Sequence, residues 1–444
     1  MYSHSYATVT TLGDFGPWIS KIILDLPREV RTSDIDPGAF SVFCARRKHD
    51  GSILMRKERG ASEALPSQGY ISVAAAYTCD DRGNRLSTGT HVALEVGEER
   101  LTKRIEGGVM GSQYIDNDIT VTQTRAIPAA TGAEPLAGLV FDQLRATLCP
   151  ALDRWRTSEM SASVDGISLK YGYFEPDFAP VMPPFAKPDT PPVEKPEKAA
   201  LIVYLHGAGE GVGEATWEGP ERAYTGNRVT ALSQNPIQGY FDGAAWVLVP
   251  QCPTFWMDNG VEQLGHSNRS IYTSPLKALI DEFIAEHADR IDTSRIIIAG
   301  LSNGGFMTVR MCLDYPDFFA AGLPCCAPFF TENQTPEAIE ALGQTPLWFI
   351  HSKGDELVDP LDTALPLYHK LVNAGAEAHM TYFDHVEDLT GRYREADGTP
   401  KKTFNHGVWI HQFNDFCRTD LDGCNVLVDG EPVSCWEWAA AQRR

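Results

Sequence analysis

The stretch that most constrains the fold is residues 295–307, which read RIIIAGLSNGGFM. The β-branched run at 296–298 predicts a strand buried on both faces, and an apolar, helix-compatible segment follows the glycines. Between them, residues 300–304 have the pattern G-x-S-x-G, which in a strand–turn–helix context lifts a serine hydroxyl off the end of a sheet. Alone the pattern is weak, because a plain β-turn-α connection can contain the same residues. The interpretation of Ser302 therefore depends on its partners.

Length and hydropathy indicate a globular chain of more than one domain. The 444 residues exceed one ordinary domain of ~150 residues, and mean hydropathy is −0.23. No apolar run approaches the ~20 residues of a membrane span. The N-terminal MYSHSYATVTTLGDFG lacks a basic segment followed by an apolar one, so we expect a cytoplasmic protein, or a secreted one if a signal has been removed.

The charge and the cysteines exclude several classes of function. A net charge of −21 argues against nucleic acid and anionic membranes as partners. Ten cysteines are too few for a disulfide scaffold, although Cys417, Cys424 and Cys435 could form a bridge or remain thiols. No CxxC pair or Cys/His cluster has the spacing of a zinc site, so we expect no metal and no cofactor.

The first part of the chain, residues 1–155, is predicted to be a β-sandwich. Short, partly alternating runs are separated by turn signals such as Asp81-Arg82-Gly83-Asn84, a pattern typical of sandwiches. The predicted strands are residues 18–26, 40–44, 70–77, 91–96 and 118–124.

The second part, residues 156–444, is predicted to be a doubly wound, mostly parallel α/β domain. Strands and helices alternate along it, which predicts a parallel sheet covered on both faces. A helix is expected over 275–288 with Ser274 as its cap, and the proline-rich residues 175–198 are expected to be a surface insert. The predicted strands are residues 167–174, 200–205, 245–249, 296–298, 319–326, 347–351 and 380–383.

A serine nucleophile needs a base, and the base needs an acid that orients it. In this kind of sheet the chain order is serine, acid, histidine. Asp355 follows a predicted strand by a short loop and is the preferred acid, with Asp359 and Glu356 as alternatives. His406, in a loop that enters a helix, is the preferred base. The other downstream histidines, which are less favoured as the base, are His369, His379, His385 and His411.

An oxyanion needs two backbone N–H donors. One is expected from Asn303 and the other from Ala208, in the glycine-rich loop after the strand at 200–205. His206 is expected to brace that loop. Glu210 is either a second brace or a solvated carboxylate, and Trp256 either walls the substrate pocket or belongs to the core.

With these residues assembled, the chain resembles the α/β-hydrolase superfamily. It is most similar to bacterial carboxylesterases with an N-terminal immunoglobulin-like domain, relatives of polyhydroxybutyrate-depolymerase-like and feruloyl esterases. The resemblance implies Ser302, Asp355 and His406 as the triad and Ala208 and Asn303 as oxyanion donors. The motifs that carry it are HGAGEG at 206–211, PQCPTFW at 250–256, GLSNGG at 300–305, HSKGD at 351–355 and a TG-Y-DG-HGVW pattern across 390–409, with looser matches at GPWISKIIL and AYTCDDRGN.

The sequence thus predicts a serine carboxylic-ester hydrolase that works through an acyl-enzyme on short-chain, aryl or polyester-type esters. Two alternatives stay open: a prolyl-oligopeptidase-like serine peptidase, and a glycan- or polymer-binding protein with a vestigial hydrolase domain. The expected partner is a small-molecule or polymeric ester, and assembly into a homo-oligomer is left open.

Overall fold

The chain divides into two compact units, Met1–Asp153 and Arg154–Arg444. The computed structural model describes residues 3–48, 50–57, 62–97, 101–106, 112–180, 182, 190–211 and 220–444. Part of the expected proline-rich insert, residues 181 and 183–189, lies outside the described residues. Across the described ranges, no helix combines the length and the apolar character that a membrane crossing requires.

The first unit consists of strands, in agreement with its short alternating apolar runs. Its strands are β1 Ser3–Gly13, β2 Gly16–Arg31, β3 Phe40–Arg47, β4 Met55–Arg56, β5 Leu65–Pro66, β6 Gln68–Ile71, β7 Val73–Cys79, β8 Thr88–Val96, β9 Arg104–Glu106, β10 Ser112–Tyr114, β11 Asp116–Gln123 and β12 Val140–Leu148.

Eight of these strands are hydrogen bonded in the order β6-β3-β11-β12-β1-β2-β8-β7. Alternate residues from strands along the whole series meet in one core, so the strands wrap around it. Tyr6 of β1, Leu24 of β2 and Phe141 of β12 are among its members and are almost fully buried. A second apolar cluster, which includes Val9, Ile23 and Tyr77, lies on the other face of β1, β2, β7 and β8.

The expected strand at 70–77 is wrong, because the chain forms two strands there. β6 pairs with β3, whereas β7 pairs with β8, and these partners lie at opposite ends of the strand order. Only Ser72 lies between β6 and β7, so the two ends of the strand order come close together at this point. Local apolar pattern carries no information about which distant strand is the partner, so the prediction joined them.

The second unit alternates strands and helices. Its strands are β13 Trp155–Glu159, β14 Lys170–Phe174, β15 Ala199–Leu205, β16 Ala245–Gln251, β17 Ile291–Leu301, β18 Ala321–Cys325, β19 Leu347–Ser352, β20 Ala378–Phe383, β21 Leu427–Val428 and β22 Glu431–Pro432. Its helices are α1 Ala208–Gly211, α2 Arg222–Thr225, α3 Ile237–Tyr240, α4 Thr273–Glu286, α5 Asn303–Asp314, α6 Pro336–Leu342, α7 Ala364–Asn373, α8 Trp409–Phe413 and α9 Cys435–Ala441.

The main sheet of this unit has the order β13-β14-β16-β15-β17-β18-β19-β20. From β16 to β20 neighbouring strands run parallel, and β13 and β14 add an antiparallel edge. Every residue of β15 is buried, as expected for a strand covered by helices on both faces. The carboxyl ends of the parallel strands therefore form one edge at which loops can build a site.

Helix α4 begins one residue earlier than its predicted cap. Tyr272 occupies the capping position without a side-chain capping bond, so the expectation that Ser274 caps this helix is wrong. Apolar packing fixes the helix instead, since Leu276, Leu279 and Phe283 are completely or almost completely buried.

The first turn of α5 packs directly on the end of β15, which predicts a large cost for a side chain there. A Cβ on Gly304 would lie 2.0 Å from the Leu205 carbonyl oxygen and 2.5 Å from that of His206. Because both are backbone atoms, we expect Gly304→Ala to lower the free energy of unfolding by about 3 kcal/mol or more in urea denaturation.

A matched control is Gly239→Ala in α3, where the nearest atom to a new Cβ is the Asn235 side-chain oxygen at 3.4 Å. This change is expected to alter the free energy of unfolding by no more than about 1 kcal/mol. Equal losses from the two substitutions would contradict the close approach at Gly304.

Candidate active site

Four parallel strands bring the candidate residues to one edge of the sheet. Ser302 directly follows β17, Asp355 follows β19, and His406 is reached after β20. The glycine-rich loop at 206–211 follows β15, which lies next to β17 in the sheet. The register of the sheet therefore collects side chains that are far apart in sequence.

Ser302 occupies a strained turn between β17 and α5. Its backbone has φ 52° and ψ −117°, a conformation that L-residues adopt at a cost of about 1–3 kcal/mol. Its N–H donates to the Cys325 carbonyl oxygen at 2.8 Å, which ties the turn to the end of β18. The turn is so tight that a Cβ on Gly300 would lie 2.4 Å from the Gly304 carbonyl oxygen. Packing thus presents the hydroxyl beyond the sheet edge.

His406 lies between Ser302 and Asp355. Its Nε2 is 2.8 Å from Ser302 Oγ, and its Nδ1 is 2.8 and 3.0 Å from the two oxygens of Asp355. An ionised carboxylate can only accept, so Nδ1 carries a proton and donates it to Asp355. In the neutral ring Nε2 is then the free base and faces the serine hydroxyl. The three residues chosen from the sequence are thus brought together with the orientation that proton transfer requires.

Asp355 is a buried carboxylate with several donors. Its side chain is fully buried, and its Oδ1 accepts from the N–H groups of Leu357 and Val358 at 2.9 Å each. His351 Nε2 lies 3.1 Å from Oδ2. Burial alone raises the pKa of Asp355, but the hydrogen bonds from His351 and His406 outweigh it and hold the pKa well below its usual range. Asp355 is therefore ionised at every pH at which the protein would work.

His406 is 4% exposed, and burial alone would lower its pKa. The neighbouring Cys326 and the Asp355 carboxylate outweigh burial and raise the pKa of His406 to about 9. The ring therefore binds its proton more tightly than a free imidazole does.

Glu356 holds the chain that carries His406. Its carboxylate accepts from the N–H of Asn405 at 2.9 Å and from that of His406 at 3.3 Å. Asn405 in turn accepts from the Val386 N–H through its side-chain oxygen at 2.9 Å. Two consecutive residues thus hold His406 in place. Asp355 binds its ring, and Glu356 binds its backbone N–H. Glu356, weighed in the sequence as an alternative acid, contacts the backbone rather than the ring.

The other alternative residues have partners elsewhere. Asp359 accepts from the Leu361 N–H at 2.9 Å, and His379 Nδ1 is 2.7 Å from Asp420. His385 Nε2 is 3.0 Å from Glu387, and the His411 ring packs at 4.4 Å from that of Phe383.

The loop after β15 is held by His206. Its Nε2 accepts from the Cys252 N–H at 2.9 Å, and its Nδ1 donates to the Gly207 carbonyl oxygen at 2.6 Å. Burial lowers the pKa of His206, which keeps the ring neutral as these two bonds require. Ala208 begins α1, and Asn303 begins α5, where an N–H has no helical acceptor. Both expected oxyanion donors thus lie on segments next to Ser302.

Trp256 and Glu210 are both buried. The Trp256 ring is fully buried, 5.4 Å from the His206 ring, and its backbone N–H donates to Asn303 Oδ1 at 2.5 Å. Glu210 is 5% exposed and accepts from Asn227 Nδ2 at 2.8 Å. These contacts support the turn at Asn303 and the loop after β15, and contact of either side chain with substrate stays a prediction.

The sequence reasoning missed Cys326, which lies beside the candidate residues. Its sulfur, a carboxylate oxygen of Asp355 and a ring nitrogen of His406 all lie within 4.8 Å of one another. Both His406 nitrogens are already engaged by Asp355 and Ser302, so a metal ion would have to displace one of these bonds. Cys326 has a positive φ of 40° at the end of β18, and only its position after a strand could have indicated it. All ten cysteines, including Cys417, Cys424 and Cys435, are free thiols in the structure.

Comparison with known proteins agrees with this architecture. Residues 5–134 match the family described as the esterase Ig-like N-terminal domain, and residues 190–388 match the family described as phospholipase/carboxylesterase. A solved thermostable esterase is 21% identical with a TM-score of 0.71, and the match covers 99% of this chain and 100% of that chain. The expected α/β-hydrolase fold preceded by an immunoglobulin-like domain is thereby confirmed.

One curated relative shares a short region. Poly(3-hydroxyalkanoate) depolymerase C of Paucimonas lemoignei is 45% identical over 49 residues, which is 11% of this chain and 11% of that protein.

The contacts of His406 predict where its ring titrates. We expect the Cε1–H resonance of His406 to move with a midpoint near the pKa of about 9 in an NMR titration. The folded state holds this proton more tightly than the unfolded chain. Its stabilising contribution is therefore complete below about pH 6.5 and is lost as the pH rises through about 9.

Asp355→Asn serves as the comparison, because it removes the carboxylate charge without removing the side chain. The midpoint should then fall by about one pH unit or more. An unchanged midpoint in this variant would mean that Asp355 does not hold the imidazolium.

Proposed function

We propose that this chain, which belongs to the carboxylesterases of the α/β-hydrolase superfamily, cleaves carboxylic esters through a Ser302–His406–Asp355 triad. The observation that carries the proposal is the 2.8 Å approach of His406 Nε2 to Ser302 Oγ, with Nδ1 of the same ring on a buried carboxylate. This is the geometry in which an otherwise weak nucleophile loses its proton as it attacks.

The first half of the reaction forms an acyl-enzyme. His406 Nε2 takes the hydroxyl proton while Ser302 Oγ bonds to the ester carbonyl carbon, and the carbonyl oxygen becomes an oxyanion. The backbone N–H groups of Asn303 and Ala208 are proposed to donate to that oxyanion. Collapse of the tetrahedral intermediate breaks the bond to the alkoxide, which leaves with the proton from His406.

The second half releases the acid. A water molecule gives a proton to His406 and attacks the acyl carbon, and the proton then returns to Ser302 Oγ as the ester bond to serine breaks. Asp355 keeps Nδ1 protonated throughout, so that Nε2 is always the atom that exchanges protons. Because the His406 pKa is raised to about 9, kcat/KM should increase with pH up to that region, as the neutral ring becomes populated.

For the substrate, we propose short-chain, aryl or polyester-type esters. The short match to a poly(3-hydroxyalkanoate) depolymerase supports the polyester class, since that polymer is joined by ester bonds. The peptidase alternative uses the same triad but must expel an amine, a poorer leaving group than an alkoxide.

The triad predicts which substitutions abolish turnover. Ser302→Ala and His406→Ala should each lower kcat on p-nitrophenyl esters from acetate to palmitate by about 10⁴-fold or more. His385→Ala is the matched control, because this histidine also lies after β20 but contacts Glu387. Turnover by His406→Ala equal to that of His385→Ala would contradict the choice of base.

An acyl-enzyme predicts a second, chemical signature. A fluorophosphonate probe should label Ser302 in the folded wild-type protein, and the label should be lost in Ser302→Ala. Failure to label the wild type would favour the alternative of a vestigial hydrolase behind a binding domain. Cleavage of a p-nitroanilide at rates near those of the matching ester would favour the peptidase.

A further inference from the structure

His351 is a second histidine that contacts the Asp355 carboxylate. It is in β19, four residues before Asp355, and both side chains are fully buried. Its Nε2 is 3.1 Å from Asp355 Oδ2 and 3.1 Å from the Val358 carbonyl oxygen. One ring nitrogen therefore joins the carboxylate to the backbone of the loop that presents it.

The second of these contacts assigns the proton. A carbonyl oxygen can only accept, so Nε2 must carry a hydrogen for the contact with Val358 to be a hydrogen bond. Nδ1 of the same ring has no hydrogen-bond partner among the residues that the structure describes. A charged ring would bury an unpaired N–H at Nδ1, whereas the neutral ring leaves only an acceptor there. The contacts thus favour a neutral His351 with its hydrogen on Nε2.

Oδ2 of Asp355 is shared between two imidazoles. It lies 2.8 Å from His406 Nδ1 and 3.1 Å from His351 Nε2, whereas Oδ1 accepts from two backbone N–H groups. Oδ1 is therefore held by the loop, and His351 is the side chain that holds Oδ2 in line with His406. Rotation about the Cβ–Cγ bond moves both oxygens together, so His351 adds a restraint at Oδ2 to the one that the two backbone groups provide at Oδ1.

We propose that His351 is a positioning residue that fixes the Asp355 carboxylate in the orientation needed to hold the His406 ring. The proposal rests on the function proposed above, because it concerns the aspartate of that triad. The hydrogen-bond contacts of His351 are Asp355 and Val358, so its effect on Ser302 and His406 passes through Asp355. It should act on the rate of the chemical step and leave substrate binding unchanged.

A matched pair of amide variants tests the position of the donor. In His351→Gln the amide nitrogen can reach the place of Nε2, whereas in His351→Asn it stops near Nδ1, short of Asp355. We expect the Asn variant to have kcat at least about tenfold below that of the Gln variant on p-nitrophenyl acetate, with KM within about twofold. The downfield proton resonance of the His406–Asp355 hydrogen bond should persist in the Gln variant and broaden or vanish in the Asn variant.

Two further results keep the test decisive. Nitrogen-15 shifts of the wild-type His351 ring should show the hydrogen on Nε2, and a hydrogen on Nδ1 alone would overturn the proposal even if a variant fails to fold. Asp355→Asn separates the two hypotheses. If His351→Gln and His351→Asn have equal kcat while Asp355→Asn is inactive, the proposed role of His351 is wrong and the triad stands. An active Asp355→Asn would overturn the triad itself.

Discussion

The candidate site depends on the close packing of the first turn of α5 against the ends of two strands. Gly304 packs on the carbonyl group of Leu205 in β15, and a Cβ on Gly305 would lie 2.5 Å from the Cys325 carbonyl oxygen in β18. This packing forces Ser302 into a positive φ and fixes the direction of its hydroxyl. The strain is tolerated because the buried strands on both sides leave the turn no alternative path. The remaining residues of the site are then placed relative to this one fixed point.

The electrostatics of the site depend on imidazoles and backbone groups. Asp355 is a buried negative charge in a protein that already has a net charge of −21. It accepts hydrogen bonds from two backbone N–H groups and two histidine rings. The two backbone donors stabilise the carboxylate without adding a cation that would compete with His406 for it. Together with Cys326, the same charge raises the pKa of His406.

The sequence allowed much of this to be predicted, for identifiable physical reasons. Ser302 and Asp355 follow continuous apolar runs, and buried parallel strands are the clearest pattern that a sequence contains. His406 was predicted from chain order and from its position in a loop that enters a helix, although more than twenty residues separate it from β20. The contacts of His351, Glu356 and Cys326 could not be predicted, because each depends on which loops meet beyond the sheet. The division of the predicted strand into β6 and β7 could not be predicted either, because the local apolar pattern does not identify the strand with which each one pairs.

The contacts that hold His406 in place affect which part of this fold can change in sequence and length. The chain between Val386 and Asn405 is closed at its base by the Val386–Asn405 bond and by the Thr403 N–H on the Val386 carbonyl oxygen at 3.0 Å. His406 itself is held in position by hydrogen bonds to Asp355 and Glu356, which belong to a different loop. The segment between Val386 and Thr403 can therefore lengthen, shorten or change its composition while the imidazole stays in place. Evolution or a protein engineer can treat it as an exchangeable module beside a constant reactive centre.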